Sequence, residues 1–255
     1  DDGSEPLWFL FREHRLVVTG DSGELSLPAA EDPGAFGLEP RDIHYLGRLG
    51  AHPCFTAEWP ESAELPTDHD EQSLRGLLNH LDDTRFTMAS RAIQVLRWYR
   101  DHRYCGRCGH ATMPHERDKA MICPQCDHRQ YPRITPCVIM LVTRGDEALL
   151  AHSARFPAGF YSCLAGFMEP GESAEQAVQR EVREETGLEV DDVRYHGSQP
   201  WPFPHSLMLG FRARHCGGEI EVDGEEILDA HWWRPDELPR VPPQGSIARA
   251  LIDEW

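Results

Sequence analysis

The chain has 255 residues, of which 43 are acidic and 25 basic, so its formal net charge is -18 with His neutral. Such an acidic chain has no general attraction to nucleic acid or anionic membranes. This argues against a general nucleic-acid binder but does not exclude an enzyme that recognises one end of an RNA. No stretch approaches the roughly 20 apolar residues that span a bilayer. The short apolar run at residues 7–11 follows acids rather than bases, unlike a signal peptide.

The first part of the chain, residues 1–100, predicts a β-rich domain that ends in a helix. Strand-like pieces lie at residues 7–11, 16–19 and 25–27, with turn glycines between the last two. Residues 58–71 are acid-rich and broken by two prolines, which predicts a solvated loop. Residues 86–102 predict a helix, because apolar residues recur there at three- and four-residue spacing. We find no catalytic constellation in the first 85 residues.

Two CxxC pairs predict a small zinc module over residues 101–130. Fourteen residues separate the two pairs, which allows the linker to fold back as a hairpin and brings four sulfurs to one tetrahedral ion. Two disulfides or unrelated thiols are the alternative. Because all four ligands come from the protein, we expect a structural rather than a catalytic site. The predicted zinc ligands are Cys105, Cys108, Cys123 and Cys126.

The four other cysteines, Cys54, Cys137, Cys163 and Cys216, are scattered along the chain, and we do not expect them to bind zinc. An extracellular disulfide scaffold would be shorter and denser in cysteine. The cysteine pattern therefore favours a cytoplasmic protein with one metal site and several buried thiols.

The third part, residues 131–255, opens with an apolar run at 137–142 that predicts a buried strand. A helix follows, whose start is marked by a Ser173–Gln176 capping box and whose end is marked by Gly187. Glu181 and Glu185 lie in the middle of its apolar face. Arg180 and Arg183 point elsewhere on the helical wheel and do not obviously neutralise them. This arrangement predicts a hard divalent cation at the two carboxylates, and a solvated acidic helix end is the alternative.

A proline at every second position marks the segment from Ser198 to Ser206. Three missing backbone donors exclude a central strand, so we expect a rigid extended segment that displays Trp201 and Phe203. Rigid aromatic side chains suit stacking on planar rings such as nicotinamide or adenine. A loop that packs its aromatics into the core is the alternative. A final short helix is predicted near residues 246–254.

The glutamate helix resembles the Nudix box, GX5EX7REUXEEXGU, in which U is aliphatic. The resemblance implies an α/β/α sandwich with a mixed sheet and hydrolysis of a nucleoside diphosphate linked to another moiety. The fold class is thus α+β and multi-domain. The chain matches every specified position of the box, namely Gly166, Glu172, Arg180, Glu181, Val182, Glu184, Glu185, Gly187 and Leu188.

The aromatic segment and the cysteine module together resemble the bacterial NADH pyrophosphatases over residues 101–255. That family carries a QPWPFPxS stretch after the Nudix box and a zinc ribbon before the Nudix domain. The resemblance implies a homodimer that cleaves NADH or NAD⁺ to nicotinamide mononucleotide and AMP and removes NAD caps from RNA.

Five arginines near the ribbon are candidates for contacting RNA phosphates, with a mixed solvated surface as the alternative. They are Arg91, Arg97, Arg100, Arg103 and Arg107.

The resemblance also implies roles for individual residues. Glu184 is the candidate general base, and Phe167 is either a stacking partner or part of the core. The implied ligands of Mg²⁺ or Mn²⁺ are Glu181, Glu185, the main-chain carbonyl of Ala165, and Glu226, with Glu225 as the alternative to Glu226. The implied substrate contacts are Gln199, Pro200, Trp201, Pro202, Phe203, Pro204, His205, Ser206, Tyr131, Phe167, Arg75, Asp118 and Ala248.

Two rival functions stay open at this stage. One is another Nudix specificity, such as ADP-ribose or a diadenosine polyphosphate. The other is a nucleotide-sensing or RNA-binding module with an inactive Nudix domain, although such a domain would be expected to have lost a box glutamate.

Overall fold

The computed structural model describes residues 4–20, 25–30, 34, 43–222 and 224–255. Its contacts divide the chain into two compact units, Asp1–Arg133 and Ile134–Trp255. In the described part of the chain, no helix is long and apolar enough to cross a membrane.

The first unit contains a five-stranded sheet in the order β3-β4-β1-β2-β5. The strand predictions at residues 7–11 and 16–19 are confirmed. The prediction at 25–27 is wrong, because Ser26 forms only an isolated bridge with Thr19. The strands are β1 (Leu7–Arg12), β2 (Arg15–Thr19), β3 (His44–Leu49), β4 (His52–Glu58) and β5 (His69–Ser73).

The acid-rich loop is shorter and less solvated than predicted. It ends where β5 begins, at His69, and Trp59 at its start is buried, with its indole nitrogen donating to the Ala63 carbonyl. A short 3-10 helix, Gly76–Asn79, follows β5. Burial of the large Trp59 side chain thus holds the start of this loop against the domain, although the charged residues of the loop predict exposure.

A long helix, α1 (Asp83–Asp101), packs on this sheet. It begins three residues before the predicted start, because Asp82 caps it by accepting hydrogen bonds from the backbone of Thr84 and Arg85. Its buried face carries Ala89, Ala92, Ile93 and Leu96, as the periodicity predicted.

The cysteine module follows α1 as a small three-stranded sheet in the order β6-β7-β8. The strands are β6 (Met113–Pro114), β7 (Met121–Ile122) and β8 (Arg129–Gln130). These strands place two tight turns, one for each CxxC pair, at the same end of the module.

The second unit is built on a mixed sheet in the order β12-β13-β9-β10-β14. Strand β9 is central: it is parallel to β13 and antiparallel to both β10 and β11. It starts at Thr135, two residues before the predicted start, and so includes Pro136, which was expected to precede the strand. The strands are β9 (Thr135–Arg144), β10 (Glu147–Ser153), β11 (Leu164–Phe167), β12 (Glu189–Trp201), β13 (Ser206–Gly217) and β14 (Ile227–Trp233).

Two helices, α2 (Ala174–Thr186) and α3 (Ile247–Asp253), cover the mixed sheet. Alternate residues of a strand face opposite sides of a sheet. Accordingly, Val138 and Met140 of β9 belong to the core beneath α2, whereas Ile139 and Leu141 belong to the core beneath α3. The expected α/β/α sandwich with a mixed sheet is confirmed.

Candidate active site

The helix α2 begins and ends where the sequence predicts. Ser173 accepts from the backbone of Gln176, and the Gln176 side chain accepts from the backbone of Ser173, which completes the capping box. Gly187 ends the helix with a left-handed φ of 71°. These local signals fix the turns of the helix, and so they fix the side of α2 on which its glutamates lie.

Arg180 connects three glutamates of the site. Its guanidinium donates to both oxygens of Glu172, at 2.6 and 2.9 Å, and to Glu181 and Glu184, at 2.8 and 2.9 Å. It also donates to the carbonyl of Phe167 at 2.9 Å. The bidentate pair lowers the pKa of Glu172 to about 2. The sequence interpretation that Arg180 does not neutralise the glutamates is therefore wrong for Glu181. The long Arg180 side chain reaches Glu181 here although the two residues point in different directions on the helical wheel.

Glu181 lies against the strand β11. Its side chain is 12% exposed, and a Cβ atom placed on Gly166 would lie 1.9 Å from its carboxyl carbon. Gly166 is therefore required here, because any side chain would occupy the volume of the carboxylate. Burial raises the pKa of Glu181; Arg180 opposes this shift, and the nearby charges of Glu184 and Glu226 reinforce it.

Three further carboxylates lie around this position, two of them on α2 and one just before β14. Glu185, one turn after Glu181, is 6% exposed, which agrees with its predicted place on the apolar face. Glu226 lies just before β14, and its charge influences Glu181. Glu184 is 60% exposed and is held by Arg180. The site therefore gathers one buried carboxylate, Glu185, one partly buried carboxylate, Glu181, and two exposed ones.

This donor set suits a hard divalent cation. Glu181 and Glu185, at positions i and i+4, offer carboxylate oxygens from one helix face, and Glu226 offers another from the sheet edge. Oxygen donors of this kind favour Mg²⁺, Mn²⁺ or Ca²⁺ over softer ions. Glu181 and Glu185 are largely shielded from solvent, and a divalent ion would offset the cost of keeping two negative charges there, so the chemistry of the side chains fits such an ion.

The aromatic segment forms a hairpin rather than the extended segment predicted. Residues up to Trp201 end the edge strand β12, a four-residue turn follows, and Ser206 begins β13. The edge position tolerates Pro200, and the exclusion of a central strand is confirmed. Trp201 and Phe203 are half-buried and meet edge-to-face at 5.1 Å, while Trp201 also packs against the core beneath α3. Pro202 and Pro204 lie in the turn, and the Phe203–Pro204 peptide bond is cis.

Other predicted substrate residues of the second unit already have partners within the protein. The Gln199 amide donates to the Gly245 carbonyl at 2.7 Å and accepts from the Ile247 backbone at 2.9 Å, which ties β12 to the start of α3. His205 pairs with Thr135 at 3.0 Å. Ala248 is buried in α3, whereas Phe167 is 55% exposed at the end of β11.

The remaining predicted residues belong to the first unit. Arg75 precedes the 3-10 helix, Asp118 pairs with Arg129 at 3.1 Å, and Tyr131 is 56% exposed. Their roles in substrate binding stay predictions.

The four predicted zinc ligands converge. Sulfur-to-sulfur distances are 3.7 Å for Cys105–Cys126, 3.5 Å for Cys108–Cys123 and 3.4 Å for Cys108–Cys126. A tetrahedral zinc with bonds of about 2.3 Å places its sulfurs about 3.8 Å apart, so the cluster fits this ion. Both turns have the same form, with Gly109 donating to the Cys105 carbonyl and Asp127 to the Cys123 carbonyl. Among the described residues, this is the only group of three or more metal-binding side chains with all ligand atoms within 4.8 Å.

Three of the four thiols outside the cluster are buried. Burial raises the pKa of both Cys137 and Cys163 to about 12, so these groups stay protonated. Cys54 is also buried, and Cys216 is exposed.

Sequence reasoning missed one charged residue beside the site. Arg155, in the loop between β10 and β11, lies 3.8 Å from Glu226. No motif includes it, and 70 residues lie between the two positions along the chain. Only the pairing of β10 with β14 brings them together.

Comparison with known families agrees with this architecture. Residues 133–255 match the NUDIX domain. Residues 5–98 match the NADH pyrophosphatase-like rudimentary NUDIX domain, and residues 100–131 match the NADH pyrophosphatase zinc ribbon domain. The chain is thus a Nudix hydrolase with a zinc ribbon before its Nudix domain.

Similar proteins define the family more narrowly. The NAD-capped RNA hydrolase NudC of Pseudomonas fluorescens is 50% identical over 83% of this chain and 76% of its own length. The Escherichia coli protein of the same name is 48% identical over 95% of this chain and 93% of its own. The chain therefore belongs to the NAD-capped RNA hydrolase family of Nudix enzymes. A Nudix hydrolase from Nitrosomonas europaea, of known structure, is 26% identical over 59% of this chain and 86% of its own, with a TM-score of 0.49.

Proposed function

We propose that this enzyme hydrolyses the pyrophosphate of NADH or NAD⁺ to nicotinamide mononucleotide and AMP, with Mg²⁺ or Mn²⁺ as the catalytic ion. The observation that carries the proposal is the cluster of Glu181 and Glu185 on α2 with Glu226 from the sheet edge. The proposed division is an N-terminal domain at 1–100, a zinc ribbon at 101–130 and the Nudix domain at 131–255.

In the proposed mechanism, Glu181, Glu185 and Glu226 would hold the ion together with the carbonyl of Ala165. The proximity of Glu226 to Glu181 favours Glu226 over Glu225 as the ligand. A bound divalent ion neutralises the pyrophosphate and activates a water molecule. Glu184, exposed and oriented by Arg180, accepts a proton from the attacking water. The oxygen of this water bonds to one phosphorus as the bridging P–O bond breaks.

Hydrolysis in water enriched in ¹⁸O tests this reaction. Chelator-treated enzyme is supplied with Mg²⁺ or Mn²⁺ and NADH, and the products are analysed by mass spectrometry. We expect one ¹⁸O atom in either the reduced nicotinamide mononucleotide or the AMP. Absence of turnover with both ions, or label in neither product, would rule the mechanism out.

The aromatic hairpin and Phe167 are the proposed platform for the non-phosphate part of the substrate. Phe167 supports this role because it is exposed next to Gly166, and therefore next to Glu181. The backbone of the hairpin, with Pro200 and Pro202, holds Trp201 and Phe203 in place. In the cell, we propose that the enzyme acts in the cytoplasm as a homodimer, and sedimentation velocity tests the oligomeric state.

We also propose NAD-capped RNA as a substrate, with the RNA chain contacting basic residues of the first unit. Arg91 on α1 lies close to Lys119, the only lysine among 25 basic residues. Burial lowers the pKa of Lys119, and the positive charge of Arg91 lowers it further. Within the described residues, neither side chain has an acidic partner. Arg100, in contrast, faces Glu58 and Asp101. In a chain with 43 acidic residues, an unneutralised basic pair favours an anionic partner.

Replacing both Arg91 and Lys119 by Ala is expected to weaken cleavage of NAD-capped RNA and to make its salt dependence shallower. Each lost phosphate contact lowers the slope of log affinity against log salt by about 0.7 to 0.9. Turnover of free NADH should barely change, because that ligand lacks the downstream phosphates. Arg100→Ala serves as the control. An equal loss on both substrates would assign the pair a role in folding, and no loss on either would refute the RNA contact.

A further inference from the structure

Arg155 holds an unusual position beside the carboxylate cluster. Its guanidinium lies 3.8 Å from the Glu226 carboxylate, and its side chain is 84% exposed. The neighbouring backbone is attached to the same residue, because Ala154 donates to the Glu226 carbonyl at 3.1 Å. The loop therefore keeps Arg155 close to Glu226 while its side chain can move.

The two arginines near the carboxylates differ in how firmly they are held. Arg180 is 20% exposed and donates five hydrogen bonds, to three carboxylates and one carbonyl. Among the described residues, Arg155 has one long, solvent-exposed ion pair, a kind of contact that contributes little stability. The Arg180 guanidinium is therefore held by acceptors of the protein, whereas the Arg155 guanidinium can bind another anion.

The chemistry of the site supplies that anion. An ion bound by Glu226 would repel the Arg155 guanidinium and would offset the carboxylate charge that attracts it. A pyrophosphate at the ion offers paired oxygens that match the planar fork of an arginine. The negative charges of Glu184 and Glu226 also repel a substrate anion, and the exposed guanidinium of Arg155 offsets this repulsion.

We propose that Arg155 is a substrate-binding residue that exchanges Glu226 for the pyrophosphate when the divalent ion and the substrate bind. The inference rests on the proposed function only in requiring a pyrophosphate, which NADH and ADP-ribose share. In the free enzyme, Arg155 competes with the ion for Glu226. In the complex, it stabilises the charge that develops on the phosphate oxygens.

Arg155→Ala tests the exchange through two measurements with opposite expected directions. Titration of Mn²⁺ into the substrate-free protein, followed by calorimetry, should show affinity about two- to five-fold tighter than wild type, because the competing charge is gone. The kcat/KM for NADH should fall about 10- to 100-fold, because a charged phosphate contact is lost. Arg155→Lys should recover part of this loss. Arg194→Ala removes another exposed arginine, which pairs with Asp192, and it should change neither quantity.

A fall in both Mn²⁺ affinity and kcat/KM would show that Arg155 only supports the loop, and the exchange would be refuted. Unchanged values for both would show that Arg155 is a solvated surface residue. The assays are run in parallel with ADP-ribose, and AMP binding is measured in the presence of Mn²⁺. If the wild-type enzyme does not hydrolyse NADH, the proposed substrate is contradicted. The Mn²⁺ titration and the measurement of AMP binding would still decide the role of Arg155.

Discussion

Glu185→Gln is expected to lower the turnover of NADH by about three orders of magnitude or more while the protein stays folded. The substitution keeps the size of the side chain but removes one negative charge from the cluster with Glu181 and Glu226. Glu185 is 6% exposed, so solvent cannot replace the lost charge. Steady-state kinetics at saturating Mg²⁺ and Mn²⁺ measure the effect, and circular dichroism verifies the fold.

Glu175→Gln is the matched control for this experiment. Glu175 lies in the first turn of the same helix and is exposed, so its substitution should leave turnover within a factor of about two. Near-normal turnover of Glu185→Gln at saturating Mg²⁺ would remove Glu185 from the metal site. An equal loss in both variants would point to a general effect of the charge of α2.

Cys123→Ser is expected to abolish stoichiometric zinc binding and to unfold the ribbon. The wild-type protein should hold about one zinc ion per chain when it is prepared without chelator. Cys123 is fully buried, and its sulfur lies 3.5 Å from that of Cys108, so serine leaves an incomplete ligand set. Elemental analysis gives the zinc content, and limited proteolysis around residues 103–130 reports the folding of the ribbon.

Cys216→Ser is the control for the loss of a thiol, because Cys216 is exposed and outside the cluster. It should retain the full zinc content. The structural-zinc assignment would be contradicted by wild-type protein that contains no zinc, or by a Cys123→Ser variant that retains it.

The parts of the fold that depend on neighbouring residues were predictable from the sequence. The capping box of Ser173 and the left-handed Gly187 fix both ends of α2, and the spacing of the CxxC pairs predicts the four-sulfur cluster. The helix caps and the CxxC turns each depend on residues within a few positions of one another, so tertiary packing does not override these signals. The Nudix box then identifies the carboxylates around Glu181.

The parts that depend on distant residues were not predictable from the sequence. The reach of Arg180 to Glu172 and to the Phe167 carbonyl depends on how the loop before α2 folds. The proximity of Arg155 to Glu226 depends on the pairing of β10 with β14, which no local pattern encodes. The hairpin at Trp201 depends on β13 returning beside β12, whereas the prolines alone predicted an extended segment.

Side-by-side turnover of NADH and ADP-ribose by the same enzyme preparation tests the central claim most directly. Both substrates carry the same pyrophosphate, so they differ only in the group that the aromatic hairpin and Phe167 are proposed to contact. We expect NADH to give AMP and reduced nicotinamide mononucleotide with a kcat/KM at least about tenfold above that of ADP-ribose, a difference of about 1.4 kcal/mol. Equal or faster hydrolysis of ADP-ribose, in either Mg²⁺ or Mn²⁺, would contradict the proposed specificity.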